Sequence, residues 1–175
     1  MNDRILVAYA TRAGSTAEVA EAIARGLSSG GAAVDVRPVK DIHDLSPYRA
    51  VVLGSAIRMG HWLPEAFAFL KAHQAELSRL PVACFVTCVT LTNNTVENRR
   101  TVDAYLDPVR VILRPVSVGL FAGAMDGSKL SFLDRLMMKA TKTPEGDFRK
   151  WDDIHLWGES LQGIFEIEVN QESVK

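Results

Sequence analysis

The chain has 175 residues, 20 lysines and arginines against 21 acidic residues, a formal charge of −1, and 47% apolar residues. That is enough apolar material for one domain with its own core, and the balance lacks the basic excess of a nucleic-acid surface. No run of eighteen apolar residues offers a membrane span, and the start lacks the basic, apolar and small-residue parts of a secretory signal; the expected location is cytoplasmic.

Residues 4–10 (Arg-Ile-Leu-Val-Ala-Tyr-Ala) form a nearly continuous apolar run, the pattern of a strand buried on both faces of a parallel sheet. In residues 15–29, Val19, Ala20, Ile23, Ala24 and Leu27 fall at helical spacing, with Ser15 or a neighbour as the cap, Glu18 and Glu21 early, and Gly30-Gly31 as the stop. A second strand is expected at Ala33–Pro38 and a third within Tyr48–Ser55. Pro64 opens a helix running to about Leu77. Pro81–Cys88 reads as the fourth strand, Val96–Val109 as a helix, and Val111–Ala122 contains the fifth strand. Residues 123–150 form a long connection before a last helix at about Trp151–Gln162. The expected organisation is one domain over 1–163 with an insertion at 123–150. A tail at 164–175 follows, whose Ile164, Phe165, Ile167 and Val169 dock on the sheet edge. Strands alternating with helices predict right-handed crossovers and a doubly wound α/β sheet.

Cys84 and Cys88 sit four residues apart on one strand face. They would be about 13 Å apart, too far for a disulfide. They read as two small core residues of a protein in a reducing compartment, and no histidine pair nearby completes a metal site.

In such a sheet, ligands bind beyond the carboxyl ends of the strands. The loop after the first strand, Thr11-Arg12-Ala13-Gly14-Ser15-Thr16, is rich in hydroxyls and opens directly into a helix. Free N–H groups and the helix dipole suit a phosphate there, and Gly14 permits a positive φ. The hydroxyls alone fit a phosphate cradle and an ordinary capped turn equally well. No Gly-x-Gly-x-x-Gly or Gly-x-x-x-x-Gly-Lys pattern is present, which disfavours a dinucleotide site and a P-loop. Ala10-Thr11 and Gly54-Ser55 stand where a receiver domain would carry its acids. The loop after the third strand, Gly54–Trp62, offers Ala56, Ile57, Arg58, Met59, Gly60 and His61 as site residues. Trp62 either stacks on a flat ring or anchors the next helix. The loop after the fourth strand contributes Thr87, Cys88, Val89, Thr90 and Leu91 and holds no aromatic residue.

The first loop resembles the flavodoxin phosphate signature Ser/Thr-x-Thr-Gly-x-Thr, here Thr11-x-Ala13-Gly14-x-Thr16 with Ala13 in place of the usual threonine. Together with Ile57-Arg58-Met59-Gly60-His61, Leu133–Lys139 and Trp151, it resembles one branch of the flavodoxin superfamily, the menaquinone-type protoporphyrinogen IX dehydrogenases and their flavodoxin-domain relatives. The resemblance implies a flavodoxin-like three-layer sandwich with a five-stranded parallel sheet in the order 2-1-3-4-5. It also implies bound FMN, a small-molecule redox substrate and a quinone acceptor. Flavin carries such chemistry, so no side chain is assigned as catalytic. An electron-carrier flavodoxin and a fold that has lost FMN stay open beside the enzyme.

Within the insertion, residues 130–141 read as a short helix with Leu133, Met137 and Ala140 along one stripe, flanked by Phe132 and Leu136. Arg135, Lys139 and Lys142 form a parallel stripe, and residues 129–142 carry four basic side chains against one acid, a net +3. Such a helix suits an anionic membrane surface or an apolar substrate with carboxylates; an ordinary surface helix over the sheet edge has the same pattern.

Overall fold

The computed structural model describes residues 3–140 and 142–172. Five long parallel strands form the centre: β1 (Arg4–Ala10), β2 (Ala33–Pro38), β3 (Tyr48–Arg58), β5 (Val82–Thr87) and β6 (Ser117–Phe121). Their order is β2-β1-β3-β5-β6, the expected order of five parallel strands. A two-residue strand, β4 (His61–Trp62), adds an antiparallel hairpin to the end of β3. Side chains alternate across the sheet, so each strand feeds two cores. Leu6, Ala8, Val51, Leu53, Cys84 and Val86 pack on one face under α2 (Pro64–Ala72), α3 (Gln74–Leu77), α4 (Val96–Ala104) and α5 (Asp107–Arg110). Ile5, Val7, Val52, Ala83 and Phe85 pack on the other under α1 (Ser15–Ser28) and α7 (Trp151–Glu172). Cys84 and Cys88 are both buried free thiols, and burial pushes the Cys84 thiol up to about 12.

Several boundaries differ from the sequence reading, each for a local reason. The helix expected over 64–77 breaks at His73, whose φ of −106° and ψ of 18° leave the helical region; its ring packs on Phe69 and pairs with Glu76. The helix expected over 96–109 is two, because Pro108 stands in the first turn of α5 and a proline cannot continue the preceding helix. The fifth strand begins only at Ser117, just after the backbone N–H of Val116 bonds to Val82. Of the expected cap candidates, Ser15 and its neighbours, Gly14 holds the cap position and Ser15 is the first helical residue of α1.

The largest correction is at the carboxyl end. The tail is not a separate edge element, because α7 runs on through Glu172; residues 173–175 lie outside the described residues. The last helix is expected to end at about Gln162, yet Ile154, Leu161 and Phe165 fall on one helical stripe and are fully buried. Burying a side chain such as Phe165 stabilises by roughly 1.5–3 kcal/mol, more than the approximately 1 kcal/mol a helical glycine costs. Helices α1 and α7 approach closely through Gly26 and Gly158, where an added Cβ would stand 2.4 Å from the carbonyl oxygens of His155 and Ile23. Gln162 Nε2 donates to the carbonyls of Gly26 and Leu27, both at 2.9 Å, and so satisfies the open end of α1.

This packing gives a paired prediction. Gly158→Ala meets backbone and should lose about 1–3 kcal/mol, whereas Gly163→Ala, with nothing within 4 Å, should gain up to about 1 kcal/mol. Urea unfolding of both variants measures the contrast; equal effects would contradict the close approach.

Candidate functional site

The carboxyl ends of β1, β3 and β5 converge on a cavity of about 330 Å³, within the range of small-molecule sites. After β1, Gly14 adopts a φ of +89° and no side chain caps α1. The Gly14 N–H donates to Thr11 Oγ1 at 3.0 Å, closing the turn. Thr11, Arg12, Ala13 and Ser15 line the cavity. Thr16 does not: it is fully buried, and its hydroxyl bonds to Thr87 Oγ1 at 2.8 Å, joining the first turn of α1 to the end of β5. Arg12 pairs with Glu65 at 3.0 Å.

The expected loop after β3 is a hairpin. Ile57 pairs with Trp62 and Arg58 with His61, and the turn residues Met59 and Gly60 both have positive φ, 52° and 78°. That is the backbone of a tight two-residue hairpin turn. Ala56, Ile57, Arg58 and Met59 line the cavity. His61 is exposed and points elsewhere, while Trp62 is buried in the core, so it anchors the hairpin. Ser55 reinforces this corner, accepting from the Leu63 N–H at 3.0 Å. After β5, Thr87 and Val89 reach the cavity. Cys88 and Leu91 are buried, and the Thr90 carbonyl accepts from Asn98 Nδ2. These three residues, with Gly14, Thr16, Gly60 and His61, shape the site without lining it.

Sequence reasoning singled out the insertion for an apolar substrate or membrane but named none of its residues among the cavity's walls. The insertion folds back over the cavity through β7 (Ala124–Met125), α6 (Phe132–Ala140) and β8 (Gly146–Asp147). Met125, Leu130, Asp134, Met137 and Met138 line it from that side. Four of the chain's five methionines therefore face one cavity, a soft and adaptable surface for a flat ring. The apolar stripe expected from spacing is split: Met137 faces the cavity, whereas Leu133, Leu136 and Phe132 are exposed.

Arg149 anchors the insertion where it returns to the domain. Its guanidinium bonds to the Ser15 carbonyl, Glu18 and Asp147 and lies over the Trp151 ring, with 8% of the side chain exposed. The Arg149 hydrogen bond holds the Asp147 carboxyl below its usual range. That contribution to stability is complete above the ordinary carboxylate pKa and fades as pH falls through the lowered value.

The geometry fits FMN. One end of the cavity offers an uncapped helix amino terminus with the hydroxyls of Thr11 and Ser15, suited to a phosphate. The other end is apolar and suited to a ring.

A family described as "Flavodoxin domain" matches residues 6–152 of the chain. The chain is 32% identical over 142 residues to a protoporphyrinogen IX dehydrogenase [quinone] of Leishmania major, covering 78% of this chain and 61% of that relative's length. It is 30% identical to the protein of the same name from Escherichia coli K12, covering 78% of this chain and 77% of that one. Among solved structures it is similar to a flavodoxin from the domain Archaea, with TM-score 0.56, 17% identity, and 93% and 99% of the two chains covered. It is also similar to the Fusobacterium nucleatum flavodoxin bound to flavin mononucleotide, with TM-score 0.56, 13% identity, and 93% and 98% covered.

Met59 supplies a test of the hairpin. A left-handed conformation costs a non-glycine residue about 1–2 kcal/mol, so Met59→Gly should raise the thermal midpoint of the flavin-free protein by roughly 2–8 °C while weakening flavin binding in a fluorescence titration. A lower midpoint would contradict strain at this turn.

Proposed function

The chain belongs to the flavodoxin-domain family, and from that premise we propose that it is an FMN-dependent oxidoreductase of the protoporphyrinogen IX dehydrogenase type, with a quinone as electron acceptor. The observation that carries this reading is the insertion wall. Met125, Leu130, Met137 and Met138 enclose the cavity opposite the three strand-end loops. A carrier that passes electrons to partner proteins works through an open ring edge; an apolar roof suits a small flat substrate instead. The missing aromatic residue after β5 leaves a ring face free for that substrate.

Bound FMN would accept hydrogen from the reduced substrate and pass electrons to the acceptor. The protein's own part is to hold, orient and exclude. The amino end of α1, with Thr11 and Ser15, holds the phosphate. Thr16 and Thr87 fix the spacing of that loop from β5. Ile57, Met59 and Val89 set the plane of the ring, and the methionine wall keeps water from its exposed face.

The outer face of α6 supports peripheral membrane contact. Phe132 is 77% exposed and Leu133 71%, with Leu136 beside them, and Arg135 and Lys139 share the helix surface. Apolar side chains flanked by cations suit an anionic bilayer. Among the described residues no helix is long and apolar enough to cross one.

Flavin extracted from the purified protein should be FMN, and the protein should oxidise protoporphyrinogen anaerobically with a menaquinone analogue. FMN without turnover would favour the electron carrier, and FAD or no flavin would contradict the cofactor reading. Replacing Arg135, Lys139 and Lys142 by glutamine should reduce co-sedimentation with anionic vesicles and leave FMN affinity unchanged. Raised salt should mimic the triple variant, since screening at physiological ionic strength acts over about 8 Å. Unchanged vesicle binding would make α6 a lid only.

A further inference from the structure

Two arginines line the cavity, and they are held differently. Arg12 pairs with Glu65, a residue of α2 on the domain body. Arg58, at the end of β3, pairs with Asp134 of α6, on the insertion. The second oxygen of Asp134 accepts from Ser131 Oγ at 2.7 Å, which fixes the carboxylate at the start of the helix. Among the described residues, two ion-pair fastenings of unequal strength hold the insertion to the domain. Arg149 is a clamp largely sheltered from solvent, whereas the Arg58 side chain is 46% exposed. An exposed ion pair shifts an equilibrium by only about twofold to fivefold, so the Arg58 fastening can open while the Arg149 clamp holds.

We propose that the Arg58–Asp134 pair is a latch with two uses: Asp134 holds α6 over the cavity by occupying the guanidinium that an anionic ligand takes when it enters. Arg58 is then the specificity residue for a carboxylate-bearing flat ring, and Asp134 is its internal stand-in. Ligand entry and lifting of α6 become one exchange of partners, in which Arg58 faces an anion throughout and the released Asp134 keeps its bond to Ser131. Arg12 cannot serve this purpose, because its acid does not belong to the moving segment. The inference rests on reading the cavity as the flavin and substrate site.

The test compares wild type, Asp134→Asn and Arg58→Gln, each as the full chain with and without FMN. Hydrogen exchange reports the latch. Amides of α6 should exchange about threefold to fivefold faster in both variants, with residues 146–150 unchanged because Arg149 holds them. The binding of 2-naphthoate and of neutral 2-naphthamide, read from the flavin spectrum, reports the specificity. Asp134→Asn should bind the carboxylate about threefold to fivefold more tightly than wild type, with a smaller gain for the amide. Arg58→Gln should lose the preference for the carboxylate altogether. Unchanged exchange in both variants would overturn the latch, and a carboxylate preference that survives Arg58→Gln would overturn the specificity. If wild type takes up no FMN, the flavin reading fails, and the exchange arm without FMN still decides whether the latch exists.

Discussion

The ligand cavity depends on one cation whose side chain is largely sheltered from solvent. Arg149 gathers the Ser15 carbonyl, Glu18 and Asp147 around its guanidinium and stacks on Trp151. It thereby ties the end of the insertion to the first turn of α1, the same turn that presents its free amino end to the cavity. Without that tie the strand-end loops would form an open ligand edge. With it, the insertion returns over them and the site acquires a roof. The clamp is sheltered from solvent, so salt screens it less than the exposed pairs around the cavity rim.

The rest of the molecule keeps the three loops rigid under that roof. Both faces of the sheet are packed, and the α1–α7 contact through Gly26 and Gly158 fixes the axis of the helix whose amino end faces the ligand. The bond between Thr16, in the first turn of α1, and Thr87, at the end of β5, ties the loop after β1 to the loop after β5. Met59 in the hairpin turn has a positive φ of 52°, as does Lys142 in the insertion; at Met59 a cavity-lining side chain is held by an unfavourable backbone, as is common at functional sites.

Local patterns made most of the fold legible in the sequence. Apolar runs marked the five parallel strands, and the loops after the first, third and fourth of them were identified as site walls from topology alone. What escaped was non-local. The last helix reads as ending near Gln162 until Phe165 is seen buried against the sheet. Thr16 reads as a phosphate ligand until its hydroxyl is seen paired with a residue 71 positions away. The split of the insertion helix into a cavity side and an exposed side was also hidden, because its periodicity shows that a stripe exists but not which way it faces. The excess of methionines near the insertion was the available signal for the fourth wall.

The central claim is that the phosphate loop and the insertion wall enclose one flavin. Methionine methyl NMR tests it directly, with resonances assigned by single Met→Leu variants. On addition of FMN the methyl signals of Met59, Met125, Met137 and Met138 should all shift in the ring field of the bound flavin. A shift confined to Met59, with the three insertion methionines unmoved, would mean that the flavin sits on the strand-end loops alone and that the insertion is no part of its site.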